Sequence, residues 1–236
     1  MATRIRTAAA SLLAAAAILV LAWVLLVWLW RDPFTSVYTA YEQHKLAGAY
    51  DARVARLADP GPGSLADIAR RYRTESKLGD PIGRLHVDRL GLNMVLLNGT
   101  DEATLRKGPG RDRRSAMPGE GKLVYVAGHR TTYLAPFSHI ERLRPGDPIV
   151  LEVPYATFTY EVVGHEIVVP TDLSVLRPGH RELLRLQACH PRFFATRRYI
   201  VTARLVRVKR AGDATSAAAG TLEAWASSSR SPALRS

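Results

Sequence analysis

The chain has 236 residues, 47% of them hydrophobic and 23% charged, which is enough for one compact domain with appendages. The 33 Lys and Arg against 21 Asp and Glu give a formal charge of +12, a balance that suits anionic lipid headgroups, acidic wall polymers or nucleic acid. No zinc-finger spacing, aromatic ribonucleoprotein box or basic recognition helix accompanies that charge, so no nucleic-acid partner is expected, and the single cysteine, Cys189, excludes an internal disulfide and a cysteine-rich zinc site.

Residues 1–7 form a short N-terminal segment carrying Arg4 and Arg6. Residues 8–30, AAASLLAAAAILVLAWVLLVWLW, hold no charged side chain and as a helix would span about 34 Å, enough to cross a bilayer. A cleaved leader has a shorter apolar core and a small-residue cleavage site, so this run is predicted to be an uncleaved single-pass anchor. Trp28 and Trp30 suit the lipid–water interface, and Arg4 with Arg6 place the N-terminus in the cytoplasm. The remainder of the chain then lies outside the cell membrane.

Residues 31–80 are predicted to be a helical juxtamembrane stalk. One helix runs through Val37, Tyr41 and Val54, and Pro60 to Gly63 break it. Ser64 and Asp67 have the spacing of a capping box that opens a second helix. Leu65, Ile68, Ala69 and Tyr72 share one face of it, and Gly79 is expected at its end. This helix either packs on the following domain or spaces it from the lipid.

Residues 81–208 change texture to short apolar runs punctuated by turns, the pattern of an all-β barrel or sandwich. The expected strands are 83–87, 92–97, 123–127, 149–153, 157–162, 167–169, 183–188 and 199–208. Between the second and third lies KGPGRDRRSAMPGEG, a Gly/Pro-rich loop whose arginines are read as solvated, with the rim of a pocket as the other reading. From residue 209 to 236 the chain is Ala/Ser-rich without apolar periodicity, and disorder is expected there.

The chemistry concentrates in LLRLQACHPRFFATRRYIVTA, residues 183–203. Up to Cys189 the segment alternates, with Leu184, Leu186 and Ala188 on one face and Arg185, Gln187 and Cys189 on the other, so the sulfur sits on the polar face of a half-buried strand. A second alternation starts at Arg198, and an antiparallel pairing of the two makes Cys189 and Arg198 neighbours. A nearby cation favours the reactive thiolate and can hold a developing oxyanion. The missing proton carrier is assigned to His129, which follows the apolar run Leu123–Ala127 and the breaker Gly128. His190 is set aside because adjacent residues on an extended segment face opposite ways. His44, His86, His139, His165 and His180 have no partner pattern in sequence.

The order His129, Cys189, Arg198, with Leu186-Gln187-Ala188-Cys189 before the sulfur and RYIVTA after it, resembles the sortases. GHRTTYLAPF and CHPRF look like the actinobacterial class E branch in particular. The resemblance covers about residues 82–208 and implies an eight-stranded sortase-type β-barrel, mainly β with short helices. It implies Cys189 as nucleophile, His129 as general acid/base and Arg198 as the group positioning substrate and oxyanion, with Arg130, Gln187, Ala188 and His190 along the substrate groove. The family signature TLxTC is altered, since Arg185 and Ala188 stand where its two threonines would be. The second threonine contacts the substrate acyl group in relatives, so Ala188 bears on rate and preference rather than on fold.

The implied reaction is acyl transfer through a thioacyl enzyme, with no metal or organic cofactor. The donor would be a secreted protein bearing an LPxTG- or LAxTG-like C-terminal sorting signal, and the acceptor amine a peptidoglycan precursor or a pilin lysine. Two alternatives remain at this stage. Another wall-directed cysteine peptidase or L,D-transpeptidase also pairs Cys with His, although LQACHP lacks the His-Gly expected before the latter's cysteine. A non-catalytic membrane-tethered β-domain with a decayed site is the other.

Overall fold

The computed structural model describes residues 2–29, 33–57 and 63–211, with side chains from Arg6 to Leu25 and from Phe34 onward within those spans. The expectations for Arg4, Trp28, Trp30, the breaker at 60–62 and the tail from residue 212 lie outside what is described. Helix α1, Ala2–Leu29, contains an apolar stretch, Arg6–Leu25, of mean hydropathy 2.5 with none of it buried against the protein, a candidate membrane span by length and composition. Helix α2, Pro33–Arg56, follows, then α3, Leu65–Glu75.

The capping box of α3 forms as expected, Ser64 Oγ accepting from the Asp67 amide and the Asp67 carboxylate accepting from the Ser64 amide. Its end differs from expectation. The helix stops at Glu75, capped by Ser76, whose amide donates to the Tyr72 carbonyl. Gly79, at φ +79°, serves instead in the turn that leads to β1. Neither helix stands free: Ile68, Ala69 and Tyr72 join the main core, and Tyr50 of α2 is buried against Val95 and Leu97.

The domain is a closed barrel of eight strands, β1 Pro81–Val87, β2 Leu92–Asn98, β3 Gly110–Arg111, β4 Val124–Ala127, β5 Pro148–Val153, β6 Ala156–Val168, β7 Leu183–His190 and β8 Arg197–Arg210. Around the wall the order is β1-β2-β3-β4-β7-β8-β6-β5, and β5 pairs back onto β1. Closure removes every sheet edge. The pairings are antiparallel except β2 with β3 and β4 with β7. Inward side chains such as Leu85, Val126, Ile149, Phe158, Leu186 and Val201 fill the interior, the period-2 alternation that the sequence displays.

The eight strands are not the eight expected. Runs 157–162 and 167–169 are one continuous strand, β6, which pairs with β8 through two register shifts, between Thr159 and Tyr160 and between Val162 and Gly164. A local irregularity of pairing reads in sequence as a break in alternation. The strand thereby lost is replaced by β3, which lies inside the Gly/Pro-rich segment read as a solvated loop. Arg111 there is 1% exposed. Its guanidinium donates to the Asn98 side chain (2.7 Å) and to the carbonyls of Ser115 and Asp112, bridging β2 to the start of the β3–β4 connection. Burial, and then the charge of Arg73, pull its pKa down to about 10.

Arg111→Met keeps the stem but leaves Asn98 Oδ1 and buried carbonyls without a donor. Chemical denaturation is expected to show a loss of about 3 kcal/mol of unfolding free energy.

Candidate active site

Strand β7 carries the candidate nucleophile and is flanked by β4 on one side and β8 on the other. The β7–β8 register places Cys189 directly opposite Arg198 and His190 opposite Arg197. Directly opposed residues share a face, so the sulfur and the Arg198 side chain emerge together. The β4–β7 pairing is parallel, from Val124 with Leu184 to Ala127 with Gln187, and the Gly128 amide extends it by donating to the Gln187 carbonyl at 3.0 Å. Cys189 thus lies at the end of β7 where β4 finishes two residues before His129 and β8 begins beside Arg198.

The outward alternation of β7 puts Arg185, Gln187 and Cys189 on the partly exposed face and Leu184, Leu186 and Ala188 inside. The thiol is accessible in part. Glycine at 128 is required by packing, because a Cβ there would lie 2.7 Å from the Phe137 ring. The ring of His129 lies 4.9 Å from that of Tyr133, and its Nε2 is buried without a hydrogen-bond partner. Burial, and then the Arg106 charge, lower the His129 pKa against an opposing pull from Glu102. The imidazole is thus neutral at neutral pH and able to accept a proton.

Arg198 Nη1 donates to the carbonyls of Ala195 (2.9 Å) and Arg197 (3.1 Å), which ties it to the β7–β8 loop. Arg130 is 5% exposed. Its guanidinium reaches the Cys189 carbonyl (2.9 Å), His190 Nδ1 (3.0 Å) and the Glu141 carboxylate (2.8 Å). These contacts make it a bolt between the segment bearing His129 and the strand bearing Cys189. His190 also packs on Tyr199, so its ring is directed along this bolt. Three histidines without a sequence pattern have partners in space: His86 with Asp88, His139 with Glu141 and His165 with the Tyr199 ring.

Beside the thiol, the outer face of β4 and β7 is roofed by the β6–β7 connection. Val175 and Leu176 of that connection pack on Leu123, Tyr125 and Ile200. Arg185, in the place of a family threonine, holds the roof by donating to the Val175 carbonyl at 2.5 Å. The space between is a cavity of about 170 Å³ whose walls include Tyr125, Ala127, Gln187, Pro170, Leu173 and Leu176. Gln187 lines it and accepts from the Tyr125 hydroxyl at 2.6 Å, whereas Ala188 points into the barrel and is buried.

Sequence reasoning did not find Arg106, Glu102, Tyr133 or the roof. Their positions depend on loops whose course is set by tertiary contacts, and the only sequence signal was the aromatic residue four positions after His129.

A lone, partly exposed thiol on a strand whose neighbours end just before an imidazole and begin with a guanidinium has the parts of a cysteine acyl-transfer site. The chain belongs to the sortase family of cysteine transpeptidases: the family profile described as "Sortase domain" matches residues 85–206. Sortase D of Bacillus subtilis is 33% identical over 174 residues, 72% of this chain and 84% of its own length. Sortase SrtE1 of Streptomyces coelicolor is 36% identical over 90 residues, 34% of this chain and 26% of its own. Among solved structures, sortase E from Streptomyces avermitilis is 33% identical with a TM-score of 0.51, covering 57% of this chain and 93% of that one. A Clostridium perfringens Sortase D5 shares the fold with a TM-score of 0.59 at 24% identity, covering 71% and 99%.

Because the imidazole releases its proton at lower pH than an ordinary histidine, the acid side of any profile that needs neutral His129 falls below pH about 6.5. Removing the repelling charge with Arg106→Gln is expected to raise the His129 midpoint, and Glu102→Gln to lower it. Imidazole proton resonances followed through a pH titration read both directions.

Proposed function

We propose that this chain is a membrane-anchored transpeptidase that cleaves a C-terminal sorting signal and passes the protein to a cell-wall amine. The observation that carries the reading is the strand register, in which Cys189 pairs with Arg198 on one side while β4, paired with β7 up to Ala127 and Gln187 on the other, ends two residues before His129. In the proposed first half-reaction, neutral His129 takes the thiol proton, the sulfur attacks the scissile carbonyl, and the C–N bond breaks as the imidazolium returns the proton to the leaving amine. A thioacyl enzyme remains. In the second half-reaction an incoming amine attacks the thioester carbon, gives its proton to His129 and releases Cys189.

Arg198 is placed to turn from its loop carbonyls toward the tetrahedral oxyanion or the substrate backbone, a charge-assisted donor where negative charge develops. The roofed cavity beside β4 and β7, whose walls mix Tyr125, Ala127, Leu173 and Leu176 with Asp112, Arg114 and Asp172, is the candidate seat for the residues preceding the scissile bond. By family resemblance these form an LPxTG- or LAxTG-like motif, and the acceptor is a peptidoglycan precursor or a pilin lysine. Gln187 lines that cavity and would meet the peptide, while buried Ala188 bears on it only through the strand. The apolar helix Arg6–Leu25 would hold the enzyme in the cell membrane with the barrel on the extracytoplasmic side, so that enzyme and membrane-bound donor meet in one plane at high effective concentration.

Full-length protein incubated with a sorting-signal peptide and hydroxylamine is expected to release the acyl hydroxamate. Cys189→Ala should abolish release, and His129→Ala should lower it by about two orders of magnitude or more. Arg198→Lys, which keeps the charge but loses the two-pronged donor, should retain part of the activity. Full hydroxamate yield from the His129→Ala chain would remove that residue from the mechanism.

A further inference from the structure

Helix α2 has two faces with different company. On one, Thr39 Oγ1 donates to the Arg106 carbonyl (2.8 Å), and Gln43 bonds the Lys107 carbonyl (2.8 Å) and accepts from the Val95 amide (2.7 Å). Thr35 Oγ1 accepts from the amide of Tyr133, whose ring packs on His129. This face is therefore fastened to the loop that carries the candidate acid/base group. The opposite face presents Phe34, Val37, Tyr38 and Tyr41, which are 74%, 72%, 43% and 62% exposed. Their spacing, i, i+3, i+4, i+7, gathers them into one stripe.

The stripe is confined to the first turns of the helix. Further along the same face stand Lys45, Gly48, Ala52 and Arg56, so the apolar character stops where a cation begins. Lys45 lies 5.2 Å above the Tyr41 ring. At its other end the stripe is continuous with the apolar helix: the Phe34 ring is 5.3 Å from Trp23, which belongs to the candidate span. An exposed aromatic stripe that begins against a membrane-spanning segment and ends at a cation has the composition of a lipid–water interface, where aromatic bodies sit at headgroup depth and cations meet anionic lipid. The net charge of +12 adds to that attraction.

We infer that the N-terminal half of α2 lies on the outer surface of the bilayer through Phe34, Val37, Tyr38 and Tyr41, and that this seat, bonded through Thr35 and Thr39 to the His129 loop, fixes the catalytic end of the barrel at the height of the headgroups. The inference rests on α1 being a membrane anchor, as proposed above. Its functional meaning is geometric. A donor protein whose sorting signal is still tethered in the same membrane presents the scissile bond just outside the lipid, and the seat holds the thiol at that level.

The test uses the full chain in vesicles of phosphatidylcholine and phosphatidylglycerol, in a Cys189→Ala background with one new cysteine at a time carrying a nitroxide. Tyr38→Cys and Tyr41→Cys probe the stripe. Ala52→Cys probes the same face about 16 Å further along, and Leu19→Cys probes α1. At positions 38 and 41, collision with dissolved oxygen relative to a water-soluble nickel chelate is expected to be several-fold higher than at position 52. Water-like ratios at 38 and 41 with a lipid-like ratio at 19 would overturn the seat and leave the anchor standing. A water-like ratio at 19 would instead remove the anchor and the seat together. Labels at 38 and 41 shielded from both reagents, with spin–spin broadening, would assign the stripe to a second copy of this chain and overturn the lipid contact.

Discussion

The arrangement depends on β7 being hydrogen-bonded parallel to β4 on one side and antiparallel to β8 on the other. Parallel neighbours finish at the same end of a sheet, whereas an antiparallel neighbour begins there. The last residues of β4 and β7 and the first of β8 consequently converge at one end of the sheet. The same wall sets the face of each side chain. A slip of one residue in β7 would turn Cys189 into the apolar interior and bring Ala188 to the surface, so the packing of Leu184, Leu186 and Ala188 is what keeps the sulfur outward.

Where strand geometry stops, buried charges take over. Arg130 fixes the first residues beyond β4 to the Cys189 carbonyl and is balanced by Glu141. At the barrel's other end the Glu182 carboxylate accepts from the Gly119 and Gly121 amides and the Tyr160 hydroxyl, and burial raises its pKa. Arg111 joins β2 to the β3–β4 connection through carbonyls and Asn98. Each of these groups is desolvated and bonded to backbone at a place where the ladder is interrupted. They specify loop position more than they add stability, since buried ions repay little of their desolvation.

What could be read from sequence follows from what is local. Alternation along 183–188 fixed the face of Cys189, and the capping box at Ser64 and Asp67 located the start of α3, because period and cap chemistry are written in adjacent residues. Pairing partners are not. The pairing that made Arg198 a neighbour of Cys189 required only that two consecutive strands form a hairpin, the commonest connection. The β4–β7 neighbourhood required knowing that two intervening strands go elsewhere in the barrel, which only the family resemblance supplied. Arg111 was misread because its Gly/Pro-rich surroundings look solvated, and burial of a cation depends on acceptors distant in the chain such as Asn98. The division of β6 into two strands came from treating a register shift as an end. The fastening of α2 to the His129 loop through Thr35 was invisible, since a threonine on a helix carries no mark of the amide it will accept.

Strand β8 begins beside the thiol at Arg198 and ends at Arg210, paired with Ala156, a run of about 45 Å at the usual rise. One uninterrupted ribbon therefore joins the reacting pole of the molecule to its antipode. The last described residue, Ala211, whose amide donates to the Tyr155 carbonyl, is therefore fastened at the end of the barrel far from Cys189. The polarity of a single strand thus sets the chain's exit from the barrel at the opposite pole to its one sulfur.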